Sequence, residues 1–492
     1  MSRPNILLIV SDQERHRSWL PPDLDLPNRE RLIASGTSFE RHYTNTSPCS
    51  PSRASLFTGR YVAGHGVNEN STGPESTQLS FSVPTLGHRL RDQGYRTAYK
   101  GKWHLQVNHQ PEMDRYGYGD WTGNDMAFWG LQGSGVEYDQ PIADDAADWL
   151  RNVDDQAPWF LTVGLVNPHD IMWYPADQAW FPRYDPHARR EMVERWEGMD
   201  WGRADNAPLF SHDVPERFDT LPPNFADDLS DKPEVHRRWM VEMERQQGAG
   251  TIPLDDERMW LRYLDYYATL HELSDRSLGS ILTALDDTGA WDDTVVLFTS
   301  DHGDQCGSHQ LRSKGPWNYE ETMRIPLYAV GPGIDAGVST TALTSHVDVA
   351  ATIAALAGVD IDQTDDLVGS SLTPMFSDPL AHINEHVLFS QDWAWYAGVE
   401  TTRYASTGMF DGRYKYCRYF GVGGGSDTLG VALPGTKQVT VDAPCDAHEH
   451  ELYDLVEDPH EMVNLATDPS RRTEIRERFE ALRDIERAAY GR

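Results

Sequence analysis

The chain has 492 residues, of which 39% are hydrophobic, and this is enough apolar material for a large core. Its 77 acidic and 43 basic residues leave a formal net charge of −34, which repels phosphate backbones and anionic lipids and argues against nucleic-acid or membrane-surface partners. Four cysteines are too few for a disulfide framework. The composition therefore excludes disordered, collagen-like, coiled-coil and disulfide-stapled classes.

The N-terminal segment predicts a first buried strand at Ile6–Val10. This apolar run is too short for the core of a signal peptide, and no small-residue cleavage site follows it. No stretch of the sequence approaches the roughly 18 apolar residues that a membrane span requires. We therefore expect a cytoplasmic protein that does not enter a membrane.

Strand-like and helix-like segments alternate through the first three quarters of the chain. The further predicted strands are Tyr95–Tyr99, Trp159–Val166 and Thr294–Thr299. The predicted helices are Val83–Gly94, Ile142–Val153, Met259–Leu285 and Val347–Leu356. This alternation predicts an α/β fold in which helices sandwich a large, mainly parallel sheet.

Two changes in composition predict the domain organisation. Residues 185–256 are rich in Asp, Glu, Arg, Pro and Trp and break the alternation, so we interpret them as an insertion in a catalytic domain at 1–384. From residue 385 onward, short strands such as Arg413–Tyr419 precede a helix at Arg472–Ala489, which predicts a smaller C-terminal α+β subdomain at 385–492. The insertion is either a lid, an oligomer contact or a surface excursion, and a homo-oligomer is one expectation.

Polar side chains of catalytic type follow four of the predicted strands. In chain order they are Asp12 and Gln13, then Lys102 and His104, then Asn167 and His169, and finally Asp301 and His302. Each of these residues alone has an ordinary structural explanation. Because ligands bind at the carboxyl ends of strands in open parallel sheets, four such strand ends together predict one functional site.

The first and last of these pairs offer ligands to a single cation. Asp12 and Asp301 supply carboxylates, Gln13 an amide oxygen and His302 an imidazole. Hard oxygen ligands suit calcium or magnesium, and an imidazole also tolerates manganese. We therefore expect one divalent metal, with Ca²⁺ as the first choice and Mn²⁺ or Mg²⁺ as alternatives.

The most specific segment of the sequence surrounds Cys49. This cysteine lies in a polar stretch punctuated by Pro48 and Pro51, which we interpret as a loop, and Arg53 follows four residues later. A lone cysteine is usually a small buried hydrophobe, but this setting is unusual for a core residue. One interpretation is a thiolate nucleophile whose pKa is lowered by Arg53.

The same segment resembles the signature of the type I, formylglycine-dependent sulfatases of the alkaline phosphatase superfamily. Their pattern is Cys-x-Pro-x-Arg, which Cys49-Ser-Pro-Ser-Arg53 matches in full. The other segments that resemble the family are Asp12-Gln13, Gly101-Lys-Trp-His104, Asn167-Pro-His169, Ser300-Asp-His-Gly303, Lys314, Ser345-His-Val-Asp348 and Glu451-Leu-Tyr-Asp454. The resemblance implies an alkaline phosphatase-like fold and a sulfuric ester hydrolase. It also implies a separate maturation enzyme that oxidises Cys49 to formylglycine, an aldehyde.

The resemblance further implies a role for each site residue. The metal ligands would be Asp12, Gln13, Asp301, His302 and residue 49. Arg53 would orient the aldehyde hydrate, and Lys102 and Lys314 would neutralise sulfate oxygens. After sulfate transfer to the hydrate, His104 would accept the proton whose loss expels sulfate, and His169 would protonate the leaving oxygen. A serine could accept the sulfate but would lack the second hydroxyl that eliminates it.

Two departures from the family pattern leave the reaction open. Many members have paired acids where this chain has Asp12 and Gln13, and Asp-Asn where it has Asp301 and His302. These pairs resemble the phosphonate monoester hydrolase and choline sulfatase branch, and the amide lowers the negative charge around the metal. The intact Lys102-x-His104 pattern favours a sulfatase.

Three functions follow from these observations. The first is a sulfatase acting on a carbohydrate or a small organic sulfate. The second is a phosphonate monoester hydrolase or phosphodiesterase that uses the same formylglycine, and the third is a non-enzymatic binding protein on the same scaffold. Five aromatic residues near the motifs are candidates either for substrate contact or for core packing: Trp121, Trp129, Trp173, Tyr174 and Trp317.

Overall fold

A computed structural model describes the protein at residues 3–72, 76–108, 110–130, 133–154, 156–174, 214–237, 239, 252–361, 364, 366–393, 404–421 and 441–490. The predicted insertion at 185–256 lies outside these residues except for 214–237, 239 and 252–256. No helix in the described part of the chain is both long and apolar enough to cross a bilayer.

The described elements alternate along the chain as the sequence predicts. The strands are β1 (Asn5–Asp12), β2 (Thr37–Phe39), β3 (His42–Tyr43), β4 (Arg96–Gly101), β5 (Trp159–Pro168), β6 (Thr294–Ser300), β7 (Leu327–Val330), β8 (Val338–Thr340), β9 (Thr344–Ser345), β10 (Val387–Trp393), β11 (Tyr404–Phe410), β12 (Tyr414–Gly421) and β13 (Glu449–Asp454). The α-helices are α1 (Pro27–Ser35), α2 (Cys49–Thr58), α3 (Val62–His65), α4 (Leu86–Asp92), α5 (Asp125–Phe128), α6 (Ser134–Asn152), α7 (Glu257–Thr288), α8 (Glu320–Met323), α9 (His346–Leu356) and α10 (Arg472–Tyr490).

The central sheet is mainly parallel, which confirms the predicted fold class. Within the described residues it has seven strands in the order β4-β5-β1-β6-β7-β2-β8. Strand β1 pairs in parallel with both β5 and β6, and β4 pairs in parallel with β5. Strand β7 runs antiparallel to β6 and β2. The carboxyl ends of β1, β4, β5 and β6 therefore lie along one edge of the sheet.

Strand β1 is buried on both faces because helices cover both sides of the sheet. Leu7 and Ile9 join an apolar cluster with residues of α6 and α7. Ile6, Leu8 and Val10 point to the other face and join a cluster with residues of α2, α4 and α9. This two-sided burial explains why the strand is a continuous apolar run rather than an alternating one.

The C-terminal part of the chain forms a second sheet, as its short-strand pattern predicts. Strands β10, β11, β12 and β13 pair antiparallel in that order. Helix α10 packs on this sheet through Ile475, Phe479 and Leu482, which contact a cluster that includes Leu452. The domain boundary between residues 384 and 385 stays a prediction.

Two predicted helices begin at different residues from those expected. Helix α4 begins later than Val83 because Thr85 caps it, accepting from the backbone N–H of His88. Helix α6 begins at Ser134 and continues through Pro141, whereas we expected a start at Ile142. A proline removes one helical hydrogen bond, but the helix here is retained by packing against the sheet.

A buried carboxyl group joins α6 to the end of β5. The Asp139 side chain accepts hydrogen bonds from the backbone N–H of Val166 at 2.6 Å and of Asn167 at 3.0 Å. In the opposite direction, Asp170 accepts from the backbone N–H of Val136 at 3.0 Å. Burial raises the pKa of Asp139 to about 8, and the nearby Asp170 adds to this shift. Helix α6 and the end of β5 are therefore held together by buried carboxyl groups, and the strength of this link depends on whether those groups are protonated.

Replacing Asp139 by Asn should alter the pH dependence of stability. An unfolded aspartate titrates near about 3.9, so the folded protein holds this proton more tightly. The contribution of the carboxyl group is then fully present below about pH 4 and is lost as the pH rises through about 8. Urea unfolding at about pH 5 and about pH 7.5 should show the wild type losing at least about 1 kcal/mol relative to Asp139→Asn. The exposed Asp148 of the same helix is the control, and a parallel pH trend in wild type and Asp139→Asn would contradict the expectation.

Candidate active site

The carboxyl ends of β1 and β6 meet at the centre of the sheet edge. Asp12 is the last residue of β1, and Asp301 and His302 directly follow β6. Gln13 has a positive φ of 69°, and its backbone N–H donates to Oδ1 of Asp301 at 3.0 Å. Because the two strands are parallel neighbours, residues that are almost 290 positions apart in sequence come into direct contact.

The segment around Cys49 is a helix, so the predicted loop is wrong. Cys49 is the first residue of α2, which is buried along its whole length. Pro51 lies in the first helical turn, where a proline costs little because the N–H groups there have no helical partner. Arg53 follows one turn later on the same face, and its guanidinium donates to Asp301 Oδ2 at 3.0 Å and Asp12 Oδ2 at 3.1 Å.

The thiol of Cys49 lies inside this cluster but is not a ready nucleophile. Its Sγ is 3.3 Å from Nε2 of His302 and 3.6 Å from Oδ1 of Asp12. Burial raises the pKa of the thiol to about 11, and the negative charge of Asp12 adds to the shift. The guanidinium of Arg53 is paired with carboxylates instead of activating the sulfur. The interpretation of Cys49 as a thiolate of lowered pKa is therefore wrong.

The donor atoms of the cluster fit a single metal ion. One ligand atom each from Asp12, Cys49, Asp301 and His302 lies within 4.8 Å of the others, and all four residues are buried. The Nδ1 atom of His302 is 2.8 Å from the carbonyl oxygen of Gly303. This contact places the ring proton on Nδ1, so the Nε2 lone pair faces the cluster, as in metal-binding histidines.

The electrostatics of the two carboxylates also favour a cation between them. Burial would raise the pKa of Asp12, but Lys102, His169 and Arg53 outweigh it and hold that pKa well below its usual range. Burial and the repulsion by Asp12 raise the pKa of Asp301 to about 7. A divalent ion would neutralise both carboxylates in this dry pocket, and oxygen and imidazole donors suit calcium, magnesium or manganese. The residues therefore fit the metal that the sequence predicts.

The side chain of Gln13 lies between Asp304 and Lys314 at the border of the cluster. Its Nε2 donates to Asp304 Oδ2 at 2.5 Å, and its Oε1 accepts from Lys314 Nζ at 2.5 Å. Asp304 is itself fixed by the backbone N–H of Cys306 at 2.6 Å. Asp304 thus orients the amide so that its oxygen accepts from Lys314. Asp304 is not among the residues that the sequence predicts for the site, although it follows directly after the segment Ser300–Gly303.

Two buried lysines lie beside the cluster. Lys102 Nζ is 2.7 Å from Asp12 Oδ2 and donates to the carbonyl oxygen of Trp129 at 2.8 Å. Lys314 Nζ contacts Met172 Sδ at 3.0 Å in addition to Gln13. Both ammonium groups are buried away from solvent. An anionic ligand would interact with them more strongly in this dry site than in water.

The two predicted catalytic histidines are buried and have ring nitrogens without partners. Both ring nitrogens of His104 and Nδ1 of His169 lack a hydrogen-bond partner among the described residues. Nε2 of His169 is 4.0 Å from Oδ1 of Asp12. Burial lowers the pKa of both histidines well below the usual value, with Lys102 contributing at His104 and Lys314 at His169. Such unsatisfied buried atoms are typical of a place that a ligand fills.

The structure brings the sequence-predicted site residues to one place. These residues are Asp12, Gln13, Cys49, Arg53, Lys102, His104, His169, Asp301, His302 and Lys314. The role of each one stays a prediction. Of the five aromatic candidates, Tyr174 and Trp317 lie in core clusters, whereas the ring of Trp129 stacks on His104 with a centroid distance of 5.4 Å.

A match to a known family model identifies the family of the chain. The sulfatase family model matches residues 4–359, which is more than half of the chain. The chain therefore belongs to the sulfatase family and is a sulfuric ester hydrolase.

Individual relatives cover nearly the whole chain. The choline-sulfatase of Rhizobium meliloti (strain 1021) is 29% identical over 505 residues, covering 95% of this chain and 83% of the relative. A 2-O GAG sulfatase of known structure aligns with a TM-score of 0.70 and 22% identity, covering 100% of this chain and 93% of its own. The phosphonate monoester hydrolase of Agrobacterium radiobacter aligns with a TM-score of 0.66 and 21% identity, covering 99% and 96%. The two solved structures share the fold of this chain.

Replacing Asp301 by Ala should remove most of the bound metal and most of the activity. The variant loses a ligand of the cluster and also leaves the Arg53 guanidinium without one of its two carboxylates. Metal content per chain, measured by elemental mass spectrometry after gel filtration, should fall well below that of the wild type. The exposed Asp287, replaced by Ala, is the control for general effects of losing an acid. Stoichiometric metal and full activity in Asp301→Ala would exclude the assigned cluster.

Proposed function

We propose that the protein hydrolyses a sulfate monoester of a carbohydrate or a small organic alcohol, with formylglycine at position 49. The observation that carries the proposal is the position of Cys49, which begins a buried helix among metal-type ligands and lies near two buried lysines. The partners implied are the sulfate ester and a formylglycine-generating maturation enzyme. The metal we propose is one divalent ion, Ca²⁺ first, held by Asp12, Gln13, residue 49, Asp301 and His302.

The chemistry of the modified residue explains why a poorly ionised thiol is present at this position. The raised pKa of Cys49 makes the thiol a weak nucleophile at neutral pH. Its hydrated aldehyde would supply a hydroxyl nucleophile next to a metal, which lowers the pKa of bound oxygen ligands. In this proposal Arg53 fixes the two carboxylates that surround residue 49.

The two lysines bind and orient the anionic group of the substrate. Lys102 and Lys314 are two of only six lysines in a chain of net charge −34, and both are buried beside the cluster. Compact ammonium groups in a dry site stabilise sulfate oxygens more strongly than they would in water. Two buried ammonium groups thus lie beside the cluster although the molecule as a whole is negative.

His169 is the proton donor to the leaving oxygen in this proposal. Burial lowers its pKa well below the usual value, and Lys314 and Lys102 add to the shift, which keeps the ring neutral when no anion is bound. A sulfate monoanion between those lysines would act in the opposite direction and raise the pKa of the ring. Substrate binding would thus prepare the donor. His104, whose ring has no partner among the described residues, would take up a proton after the alcohol has left.

The second candidate function is phosphonate monoester or phosphodiester hydrolysis with the same formylglycine. It is favoured by the metal cluster, where Gln13 supplies an amide and His302 an imidazole. A solved phosphonate monoester hydrolase also shares the fold. A non-enzymatic binding protein is the least supported of the three functions, since it would require an unmodified Cys49 and no bound metal.

A comparison of matched esters tests the proposed function. We expect kcat/KM for an aryl sulfate to exceed that for the phosphonate monoester with the same leaving group. The protein is co-expressed with a formylglycine-generating enzyme, loss of the Cys49 sulfur is confirmed by peptide mass spectrometry, and Cys49→Ala is the control. Faster phosphonate cleavage, abolished in the control, would replace the sulfatase assignment by the second candidate. An unmodified Cys49 and no bound metal after co-expression, together with turnover of neither ester, would favour the binding protein.

His169→Ala should discriminate between good and poor leaving groups. An alkoxide needs a proton to leave, whereas a nitrophenolate does not, so kcat/KM should fall about 10²–10⁴-fold for an alkyl sulfate and far less for nitrophenyl sulfate. His104→Ala is the matched control, because a residue that acts after the alcohol has left should change kcat/KM for both esters by the same factor. Equal losses for both esters in His169→Ala would remove this residue from the role of proton donor.

A further inference from the structure

The carboxylate of Asp125 accepts hydrogen bonds from two consecutive peptide groups at the end of β4. Its Oδ1 accepts from the backbone N–H of Trp103 at 2.7 Å, and its Oδ2 accepts from the backbone N–H of His104 at 2.9 Å. The side chain has no exposure to solvent. Both oxygens of one buried carboxylate therefore bind the backbone that carries a predicted catalytic histidine.

The backbone of His104 requires such an external support. Its φ is 59°, in the left-handed region, where a residue other than glycine is strained by about 1 kcal/mol or more. A conformation of this kind persists only where the surroundings determine it. Asp125 holds the N–H of this residue, and the hydroxyl of Ser50 donates to its carbonyl oxygen at 2.5 Å. Since Ser50 directly follows Cys49 in α2, this backbone is fixed relative to the site of the nucleophile.

The imidazole of His104 is held by stacking, and Asp125 contacts the stacking partner as well. The Trp129 ring lies at 27° to the imidazole, with a centroid distance of 5.4 Å. The indole Nε1 of Trp129 donates to Oδ2 of Asp125 at 3.3 Å. Because neither imidazole nitrogen has a partner among the described residues, the ring depends on its backbone and on this stack for its orientation.

A carboxylate is an expensive group to bury, so its presence here calls for a reason. Burial raises the pKa of Asp125 to about 6, although the N–H groups of Trp103, His104 and Trp129 work against the shift. An asparagine of the same shape would have one acceptor oxygen and would turn an NH₂ group towards a second N–H. Only a carboxylate accepts from both peptide groups at once.

We propose that Asp125 is a positioning residue for His104: it fixes the left-handed backbone and the stacked ring and thereby sets the orientation of the imidazole. The inference rests on the proposed function for the role of His104 in turnover. The conformation of the His104 backbone and ring, and the part that Asp125 has in fixing it, do not depend on the proposed function. Two measurements therefore test it, one on the free protein and one on the reaction.

The first measurement is hydrogen exchange of the His104 amide in ¹⁵N-histidine-labelled full-length protein, with the signal assigned by its loss in His104→Ala. Asp125→Asn should accelerate this exchange at least about 10-fold, because one charge-assisted hydrogen bond is lost. The matched control is Asp348→Asn, since Asp348 is a buried carboxylate that accepts from the backbone N–H of Ser345 at 2.7 Å and Ser370 at 2.9 Å. Unchanged exchange in Asp125→Asn, or equal acceleration in the control, would overturn the proposal. This readout requires no substrate and no conversion of Cys49.

The second measurement is a double-mutant cycle on sulfate ester turnover. If Asp125 acts through His104, Asp125→Asn should lower kcat about 10-fold or more and change kcat/KM less. The double variant should then be within about threefold of His104→Ala alone. A merely structural effect would lower the fraction of active protein and leave KM unchanged. The fold-loss in turnover of the double variant would then be the product of the losses in the two single variants, and this result would overturn the proposal. Absence of turnover in the wild type would instead count against the proposed function, and the exchange experiment would then decide the role of Asp125.

Discussion

The site depends on one buried guanidinium that joins three strands of the sheet. Arg53 donates to Asp12 at the end of β1, to Asp301 after β6 and, at 2.9 Å, to the carbonyl oxygen of Lys102 after β4. Without it, two carboxylates would face each other in a dry interior, and removing one partner of such a buried pair costs about 3–5 kcal/mol. Because Arg53 and Cys49 lie one turn apart on α2, the same contact also places residue 49 among the metal ligands. Strand order, helix docking and the site are therefore determined together.

The distribution of charge separates the site from the rest of the molecule. The chain as a whole has a net charge of −34, whereas Arg53, Lys102 and Lys314 are buried around Asp12 and Asp301. Buried charges are retained only when they are paired or bind a ligand. Lys102 is paired with Asp12, but Lys314 contacts an amide oxygen and a thioether, which are neutral partners. An anion at this point completes the pairing, which is a physical reason for an anionic ester as the substrate.

Local sequence patterns predicted the secondary-structure elements and the polar residues at the strand ends. They did not predict contacts between segments that are far apart in the sequence. The apolar run Ile6–Val10 and the polar residues after it identified both a central strand and Asp12. The same reasoning mistook the Pro-containing segment at Cys49 for a loop, because a proline near a helix start and a proline in a turn look alike in sequence. Asp125 and Asp304 act on backbone and amide groups that the fold brings to them, and no spacing in the sequence indicates such partners.

The number of cationic partners gives a reason to favour sulfate over phosphonate. A sulfate monoester and a phosphonate monoester are both monoanions, so net charge alone does not separate them. A sulfate monoester has three terminal oxygens, whereas a phosphonate monoester has two and a carbon substituent in place of the third. With the proposed metal bound, the site would offer three cationic positions, namely the metal, Lys102 and Lys314. In the proposed function each position would face one oxygen of a sulfate, whereas one of them would face the carbon of a phosphonate and gain no anionic contact from the substrate, which is less favourable for a desolvated charge.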